Sequence, residues 1–529
     1  MSTYILGTTQ RGTRPRTECR GAHIDKFFSS PGTWAVPVAA DRRSELRAAP
    51  VWADDDVADL PVVDATLTTV GGGLASLALV HTLRVAGVAA RDLRVVSPTA
   101  DPADSFRQLA QAAQLGERER LRSDSAARMD SMWGFPGYAV EEAAVRRSAR
   151  PLWRVLAEPV AAEVFTPVSG HVYAGITAEA DRLGWGMMLM PGRVTVIRPR
   201  REGGFFSLVD DDGHCCSVIR SRYVHLGLGY AGLRLTEELA RYRAQHGDGF
   251  SCVNAYEPHD HVYRTLARAG GIVVVRGAGI TASRVLDRLV EVRDRSSRDI
   301  HVVHLVQHPG RRGTDPTNVW DHQPFNFPKA ALGGQLGTRV AGLADEQDRG
   351  ALITALAPTT TARRRHWQEQ LRRGRADGFY RVLIGTVTEI APAADGGIVV
   401  RVADAQTPEL QCALPAAFLI DCTGLTARIA DHPLVDDLLR ARLGRANSHG
   451  RLAVDENFEV REARNGPARM YATGAITFGS RVGPVDSFWG LQAGALRVCD
   501  ELARLGFCDR IGMRRSVAGW WRWLRGRAP

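Results

Sequence analysis

Two short apolar runs in this chain each end in a Gly-x-Gly turn, and few patterns narrow a fold so far. The first is TLTTVGGGLASLALVHTL, Thr66–Leu83, and the second is VVVRGAGITASRVLDRL, Val273–Leu289. After the glycines, apolar residues recur at helical spacing: Leu74, Leu77, Val80 and Leu83 in one copy, Val285, Leu289 and Val292 in the other. The pattern predicts a strand near Ala65–Val70, a tight turn and a helix, and a second such unit whose helix runs from Ile280 to Arg293. Such a turn removes side chains where backbone must approach a pyrophosphate, and it aims helix N–H groups at the phosphate charge. The alternative is a plain β–α turn of an α/β sheet with no ligand. Each unit then reaches another strand: DLRVVS, ending at Ser97, and IHVVHLVQ, after the loop DRSSRD. The second is a β-α-β unit of the expected ~30 residues.

A longer internal repeat follows each turn. GRVTVIRPRREGG begins at Gly192 and GTVTEIAPAADGG at Gly385, a constant offset of 193 residues. Both read G-x-V-T-x-I-x-P-x-x-x-G-G. Each continues through a β-rich stretch with an aspartate, Asp211 or Asp404, to an apolar strand ending in glycine: YVHLGLGY at 223–230 and FLIDCTGL at 418–425. Each nucleotide turn is thus expected to be followed by the same accessory module, a β-meander and a strand returning to the nucleotide sheet.

Composition removes several function classes. The 529 residues are 44% hydrophobic and 24% charged, and no apolar run approaches the ~20 residues a membrane helix needs. No apolar secretion core stands at the start, and the eight cysteines form no CxxC and no metal-ligand spacing, so a reducing, cytoplasmic setting is expected. A net charge of +10 invites a nucleic-acid reading, but all but two of the 68 basic residues are arginine, which fits a coding bias; no nucleic-acid partner is expected. The same bias draws attention to Lys329, a compact ammonium where arginine is the default. There is no G-x-S-x-G elbow, H-E-x-x-H or Walker lysine motif, which argues against a hydrolase, a zinc protease and an NTPase.

The end of the strand after a glycine turn selects the ribose. After IHVVHLVQHPG come Arg311 and Arg312 with no acid, which favours NADPH over NADH. The first unit ends in Ser97 instead of an acid, with Asp101 and Asp104 as substitutes within reach. RMYATGAITFGSRVGPVDSFWGLQAGALRVCDEL, Arg469–Leu502, reads as strand, Ala-Thr-Gly, glycine-rich loop and helix. That helix N-terminus can face the pyrimidine end of a flavin, or be an ordinary loop–helix connection.

Two dinucleotide turns, two strand-to-glycine returns and a final ATG-helix resemble the two-dinucleotide-binding-domain flavoproteins. The segments GGGLASLALVHTL, LGLGY and DCTGL resemble class B flavin-dependent N-hydroxylating monooxygenases of the lysine/ornithine type, with Leu74 where that branch usually has proline. DCTGL, PLVDDLL and MYATGAITFG also resemble a broader group of FAD/NAD(P)-binding proteins. The resemblance spans residues 60–510 in plan. It implies an α/β fold with two Rossmann-like domains, for FAD and NADPH, carrying β-meander insertions. The expected layout is an N-terminal, partly ordered extension over 1–60, an FAD domain over 61–235, an NAD(P)H domain over 236–410 with an active-site loop at 320–340, completion of the FAD domain over 411–515, and a basic aromatic tail over 516–529. FAD contacts are expected at Gly71, Gly73, Ser76, Trp133, Pro136, Thr423, Gly424, Gly474 and Asp486, and NADPH contacts at Gly277, Gly279, Ala282, Arg311 and Arg312.

Candidate catalytic residues are Arg284 and Lys329. Arg284 flanks the second turn and Lys329 lies in QPFNFPKAALGGQL. Arg276, His308, and Phe135 and Tyr138 beside Trp133 are further candidates, each with a structural alternative as a surface ion pair, surface histidine or core turn. The implied function is an FAD- and NADPH-dependent monooxygenase that N-oxygenates a small amine or amino acid with O2, through a C4a-(hydro)peroxyflavin, in biosynthetic secondary metabolism. An FAD/NAD(P)H oxidoreductase without oxygen insertion and a non-enzymatic dinucleotide-binding sensor or scaffold are the alternatives. Homo-oligomerisation stays open. The tail SVAGWWRWLRGR suits a membrane or partner surface in composition, but docking on its own domain is the expectation, with no membrane partner.

Overall fold

The computed structural model describes residues 36–121, 137–157, 165–211, 215–307, 334–356, 365–394, 396–426, 428–483 and 485–529. In chain order the first sheet takes β1 (Val36–Pro37), β2 (Val62–Val70), β3 (Leu93–Ser97), β4 (Leu189–Pro191), β5 (Arg193–Pro199), β6 (Phe205–Asp211) and β7 (Cys215–Leu226), and β8 (Gly232–Leu233) leads out of it. The second takes β9 (Cys252–Asn254), β10 (Gly271–Arg276), β11 (Ile300–Val306), β12 (Tyr380–Pro392), β13 (Ile398–Asp404), β14 (Gln411–Ala416) and β15 (Phe418–Asp421). The chain returns through β16 (Leu425–Thr426), and β17 (Arg469–Ala472) completes the first sheet.

The same architecture is built twice. β4, β3, β2, β7 and β17 run parallel, as do β12, β11, β10, β15 and β9. Parallel strands covered by helices on both faces need apolar residues on both faces. β2 supplies them: Leu67 packs with Leu77, Leu79, Val80 and Leu83 of the helix Leu74–Val85, while Val70 packs on the other face with Leu434, Val435 and Leu438. The expected α/β fold with two Rossmann-like cores is what forms.

The first hairpins of the two accessory modules match residue for residue. β5 pairs with β6 in the register Arg193↔Asp210, and β12 pairs with β13 in the register Thr386↔Ala403. Both ladders slip by one residue at the corresponding place, between Val194 and Val196 and between Val387 and Glu389. The leading glycine is required in both. A Cβ on Gly192 would lie 2.9 Å from the Asp210 carbonyl oxygen, and one on Gly385 would lie 2.5 Å from that of Ala403. The conserved spacing in the repeat is therefore a bulged hairpin used twice.

Two boundaries fall elsewhere than the sequence placed them. Position 410 lies in the loop between β13 and β14, and the second sheet keeps the chain until Asp421, because β15 inserts between β10 and β9. The tail begins earlier than 516, as a helix from Met513 to Leu524. The two connections between units, β8 and β16, pair with each other antiparallel, Leu233 opposite Leu425.

The described part of the N-terminal extension is integral to the first unit. β1 pairs with β7, and Trp52 is fully buried with its ring 6.2 Å from that of Phe206. Its indole N–H donates to the Leu46 carbonyl at 2.9 Å. Trp52→Ala should lower the unfolding free energy by about 3–5 kcal/mol, the usual cost of emptying a large aromatic site. Denaturant unfolding measures it, and a loss under about 1 kcal/mol would show that residues 36–60 are an appendage.

Candidate dinucleotide sites

Each glycine turn ends a central strand and opens a helix. Gly71 has φ +92°, and a Cβ there would lie 2.6 Å from the Gly227 carbonyl oxygen. A Cβ on Gly72 would lie 2.4 Å from the Ser97 Cβ, so the end of β3 closes against the turn. Gly73 differs: among the described residues nothing lies within 4 Å of where its Cβ would be. It caps the helix Leu74–Val85 with no side-chain hydrogen bond, and no acid stands in the first helical turn. In the second unit Gly277 has φ +123° and sits against the Cys422 carbonyl, and Gly279 caps the helix Ile280–Ser296 in the same side-chain-free way. Glycine is thus demanded at the strand side of each turn, while Gly73 faces open space.

A buried polar chain lies behind the first turn. Ser76 is fully buried, and its hydroxyl donates to the Gly71 carbonyl. With that proton used, the Thr69 hydroxyl donates to Ser76 at 2.7 Å. His225 Nδ1–H then donates to Thr69 at 2.7 Å, and His225 Nε2 accepts from the Thr473 hydroxyl at 2.8 Å. Counting donors thus assigns one neutral tautomer to His225. Burial pushes its imidazole down to about 3, so it stays neutral. Ser76, expected as a cofactor contact, stands behind the turn and connects it to three strands.

The second turn has a shorter version. His304 of β11 donates from Nε2 to the Gly277 carbonyl at 2.6 Å and accepts at Nδ1 from the Tyr380 hydroxyl at 2.8 Å. Burial lowers its pKa as well. Neither histidine was among the sequence candidates. The available signal was an imidazole within a largely apolar strand, His225 in YVHLGL and His304, the second histidine of IHVVHLV.

The remaining candidates separate by place. Gly474 has φ +88°, and Thr473 beside it joins the His225 chain. Asp486 precedes the helix Phe488–Arg504, whose N-cap Ser487 accepts from the Gly490 N–H. Asp486 accepts a 2.8 Å hydrogen bond from the Tyr230 hydroxyl. Desolvation of the hydroxyl and this carboxylate raise the Tyr230 pKa, while the side chain as a whole stays 39% exposed. Arg451 faces the same pair; burial lowers its pKa against the pull of Tyr230 and Asp486, and its buried Nε has no partner among the described residues. Arg451 is a further residue that the motifs did not reveal, and Tyr230, the last residue of LGLGY, was not singled out from its motif. Thr423 donates its backbone N–H to Asp421 while its buried hydroxyl has no partner among the described residues, and Gly424 has φ +110°. Ala282 is buried in the second helix.

Arg284 is 6% exposed and spans the two units. It pairs with Glu119 at 2.8 Å, donates to the Arg120 carbonyl at 2.9 Å and lies 5.0 Å from the Trp367 ring centre. Arg276 pairs with Glu238 at 3.2 Å and with Thr236 at 2.9 Å. Asp101 and Asp104 are both engaged by Arg107, and Tyr138 is buried in the core. Trp133, Phe135, Pro136, His308, Arg311, Arg312 and Lys329 lie outside the described residues. Past the predicted loop at 320–340, the helix Glu346–Leu356 docks on the first unit, where Arg349 donates to the Gly479 carbonyl at 3.2 Å and His449 contacts the Glu346 carbonyl. Among the described residues no three His, Cys, Asp or Glu gather as a metal site.

No protein-family model matches the chain, and no curated protein sequence does. Solved structures do. Ornithine hydroxylase (PvdA) from Pseudomonas aeruginosa aligns over 84% of this chain and 100% of its own, with a TM-score of 0.61 at 14% identity. The Kutzneria sp. 744 ornithine N-hydroxylase KtzI aligns over 84% and 99%, with a TM-score of 0.61 at 16% identity. The cadaverine monooxygenase DfoA of Erwinia amylovora aligns over 86% and 97%, with a TM-score of 0.61 at 12% identity. At these identities the shared property is the fold.

A histidine whose folded pKa is depressed contributes stability above its unfolded value of 6.5, and that contribution is lost as pH falls towards about 3. Unfolding free energy should therefore drop below pH 6.5 in the parent more steeply than in His225→Asn. The difference in slope should approach about 1.4 kcal/mol per pH unit. Denaturant titrations between pH 7 and 5 measure it, and parallel slopes would mean that His225 is protonated in the folded state.

Proposed function

We propose that this chain is an FAD- and NADPH-dependent monooxygenase that N-oxygenates a small amine or amino acid. One observation carries the reading: two glycine turns, each at the head of its own parallel core, are joined by paired connectors. A single-cofactor protein needs only one such turn. The fold shared with PvdA, KtzI and DfoA supports it, and the KtzI structure holds reduced FAD, NADP+ and L-ornithine.

The residues present fit the two cofactors. The open space at Gly73, above an uncapped helix N-terminus, suits a pyrophosphate, and Gly71, Gly73 and the helix Leu74–Val85 would hold that of FAD. Gly474 and Asp486 would border its ring end, together with Trp133 and Pro136. Thr423 and Gly424 lie at the hinge side of the second unit. Gly277, Gly279 and Ala282 would receive NADPH, with Arg311 and Arg312 for its 2′-phosphate. Bound FAD would supply the redox chemistry, hydride acceptance from NADPH and O2 activation, in the site formed by Gly71, Gly73 and Gly474.

The chain's own part is orientation. In this reading Arg284 is a positioning residue that holds the NADPH-turn helix on the first unit through Glu119. Lys329, outside the described residues, would serve the substrate side in this reading. Tyr230 and Asp486 give the first unit a hydrogen-bonded carboxylate within electrostatic reach of the Arg451 guanidinium, one of whose nitrogens has no partner among the described residues. An amino acid, carrying both an amine and a carboxylate, matches that pairing better than a plain diamine does.

The decisive experiment is anaerobic. NADPH should bleach the oxidised-flavin band near ~450 nm, and on admitting air an amino-acid panel should yield hydroxylamine product in step with NADPH consumed. Bleaching without product for any amine would leave the simple oxidoreductase; protein purified without flavin would leave the sensor or scaffold. Gly73→Asp places a carboxylate in the open cradle and should give colourless protein of unchanged secondary structure by circular dichroism. Flavin retained in this variant would move the FAD site elsewhere. Arg284→Met should slow anaerobic reduction by about tenfold with flavin content unchanged, and an unaltered rate would remove Arg284 from the reading.

A further inference from the structure

The helix Met513–Leu524 presents three different faces. One is docked: Gly519 is buried, Arg515, Ser516, Trp520 and Trp523 are half-buried beside it, and Arg515 donates to the Val85 carbonyl at 3.3 Å. The second is apolar and exposed. Met513, Val517, Trp521 and Leu524 follow at helical spacing and are 85%, 53%, 47% and 49% exposed. The third, alongside the apolar one, carries the exposed Arg514, Arg522 and Arg525, and Arg525 lies 5.1 Å from the Trp521 ring centre.

We propose that this helix seats the protein on an anionic lipid bilayer, lying in the interface with its apolar stripe among the upper acyl chains and its arginines among the headgroups. A docked helix normally turns its apolar residues inward, and this one turns a methionine, a valine, a tryptophan and a leucine outward in one line. Burying them in a bilayer removes that area from water, and an indole is well suited to the interfacial layer. Charge selects among surfaces. Residues 513–529 hold five arginines and no aspartate, glutamate or lysine. Against a second copy related by a twofold axis, the arginine row would face its own image, and like charges oppose that contact. A nucleic acid would satisfy the arginines but leave the apolar stripe in water. An anionic bilayer accommodates both.

Geometry fits attachment and not crossing. Twelve residues of helix span about 18 Å, short of a hydrocarbon core, and no helix among the described residues is long and apolar enough to cross a membrane. The helix docks at the Val85 end of the helix Leu74–Val85, whose other end opens at Gly73. The length of that helix therefore separates the bilayer contact from the first glycine turn, which stays accessible. The proposal does not depend on which cofactors or substrate the chain uses.

Vesicle flotation of the full-length purified protein tests it. The protein should float with vesicles of equal phosphatidylcholine and phosphatidylglycerol, and about tenfold less with phosphatidylcholine alone. Val517→Glu with Trp521→Glu should lower flotation on the anionic vesicles by about tenfold. Both side chains are exposed, so the thermal midpoint should hold. Arg522→Gln with Arg525→Gln should reduce the preference for the anionic vesicles and leave the fold intact. Protein that stays unbound on anionic vesicles overturns the proposal, as does flotation indifferent to Val517→Glu/Trp521→Glu. An oligomer in size-exclusion chromatography that Val517→Glu/Trp521→Glu dissociates would assign the face to a second copy. Duplex DNA binding lost only in the arginine variants would assign it to nucleic acid. Either result overturns the lipid reading.

Discussion

The first glycine of each turn exposes a carbonyl that must be satisfied from behind if the turn is to stay open in front. A trans peptide holds its C=O and the next N–H in one plane, pointing opposite ways. Pinning the Gly71 carbonyl to Ser76 therefore fixes the Gly72 N–H away from the strand side, and pinning the Gly277 carbonyl to His304 does the same for the Ala278 N–H. Both pins reach a neutral, buried imidazole, one through Thr69 and Ser76 and the other directly. A protonated imidazole would add a buried charge with no facing carboxylate, and burial prevents it. The orientation of the backbone that meets a ligand is thus set by polar groups that never touch one.

Duplication explains why one solution appears twice with different parts. Register, bulge and required glycine coincide in the two accessory modules at an offset of 193 residues, because those features are backbone geometry. The pins behind the turns do not coincide. One histidine sits on the returning strand β7 and the other on β11, and only the first works through hydroxyls. Any group that reaches the carbonyl from the sheet meets the physical demand, so side chains there vary while the hairpin spacing does not.

That difference also sets what could be read from the residues alone. Glycine turns, helix phases and the repeated hairpin are local, and spacing reveals them. The return of β15 between β10 and β9 is a long-range pairing; the repeat indicates a strand at 418–425 returning to the nucleotide sheet, but the expected unit boundary near 410 falls ahead of it. Tyr230, Asp486 and Arg451 are brought together from three distant segments; Tyr230 ends the LGLGY motif and Asp486 precedes the final helix, but Arg451 stood in no motif and nothing local joined the three. Arg284 was legible as a residue next to the second turn, but its partners Glu119 and Trp367 lie far away in sequence. The outward stripe of the helix Met513–Leu524 was visible as composition, whereas its exposure depends on which face docks.

Among the described residues the two units are tied by short strand pairing, hydrogen bonds and ion pairs. These ties include the β8–β16 pairing, the Arg284 clasp on Glu119 and the Arg120 carbonyl, and the Arg349 hydrogen bond to Gly479. A hydrogen bond to a charged group contributes about 1.5–3 kcal/mol, so breaking the side-chain ties costs far less than opening either core. The glycine turns are therefore rigid within each unit, while the distance between them depends on exchangeable ties. Arg120, whose carbonyl receives Arg284, is itself bound to Glu142 and to the Thr166 carbonyl, so the clasp ends on a braced segment. The clasp therefore joins the helix of the second turn to a braced segment of the first unit through a buried arginine.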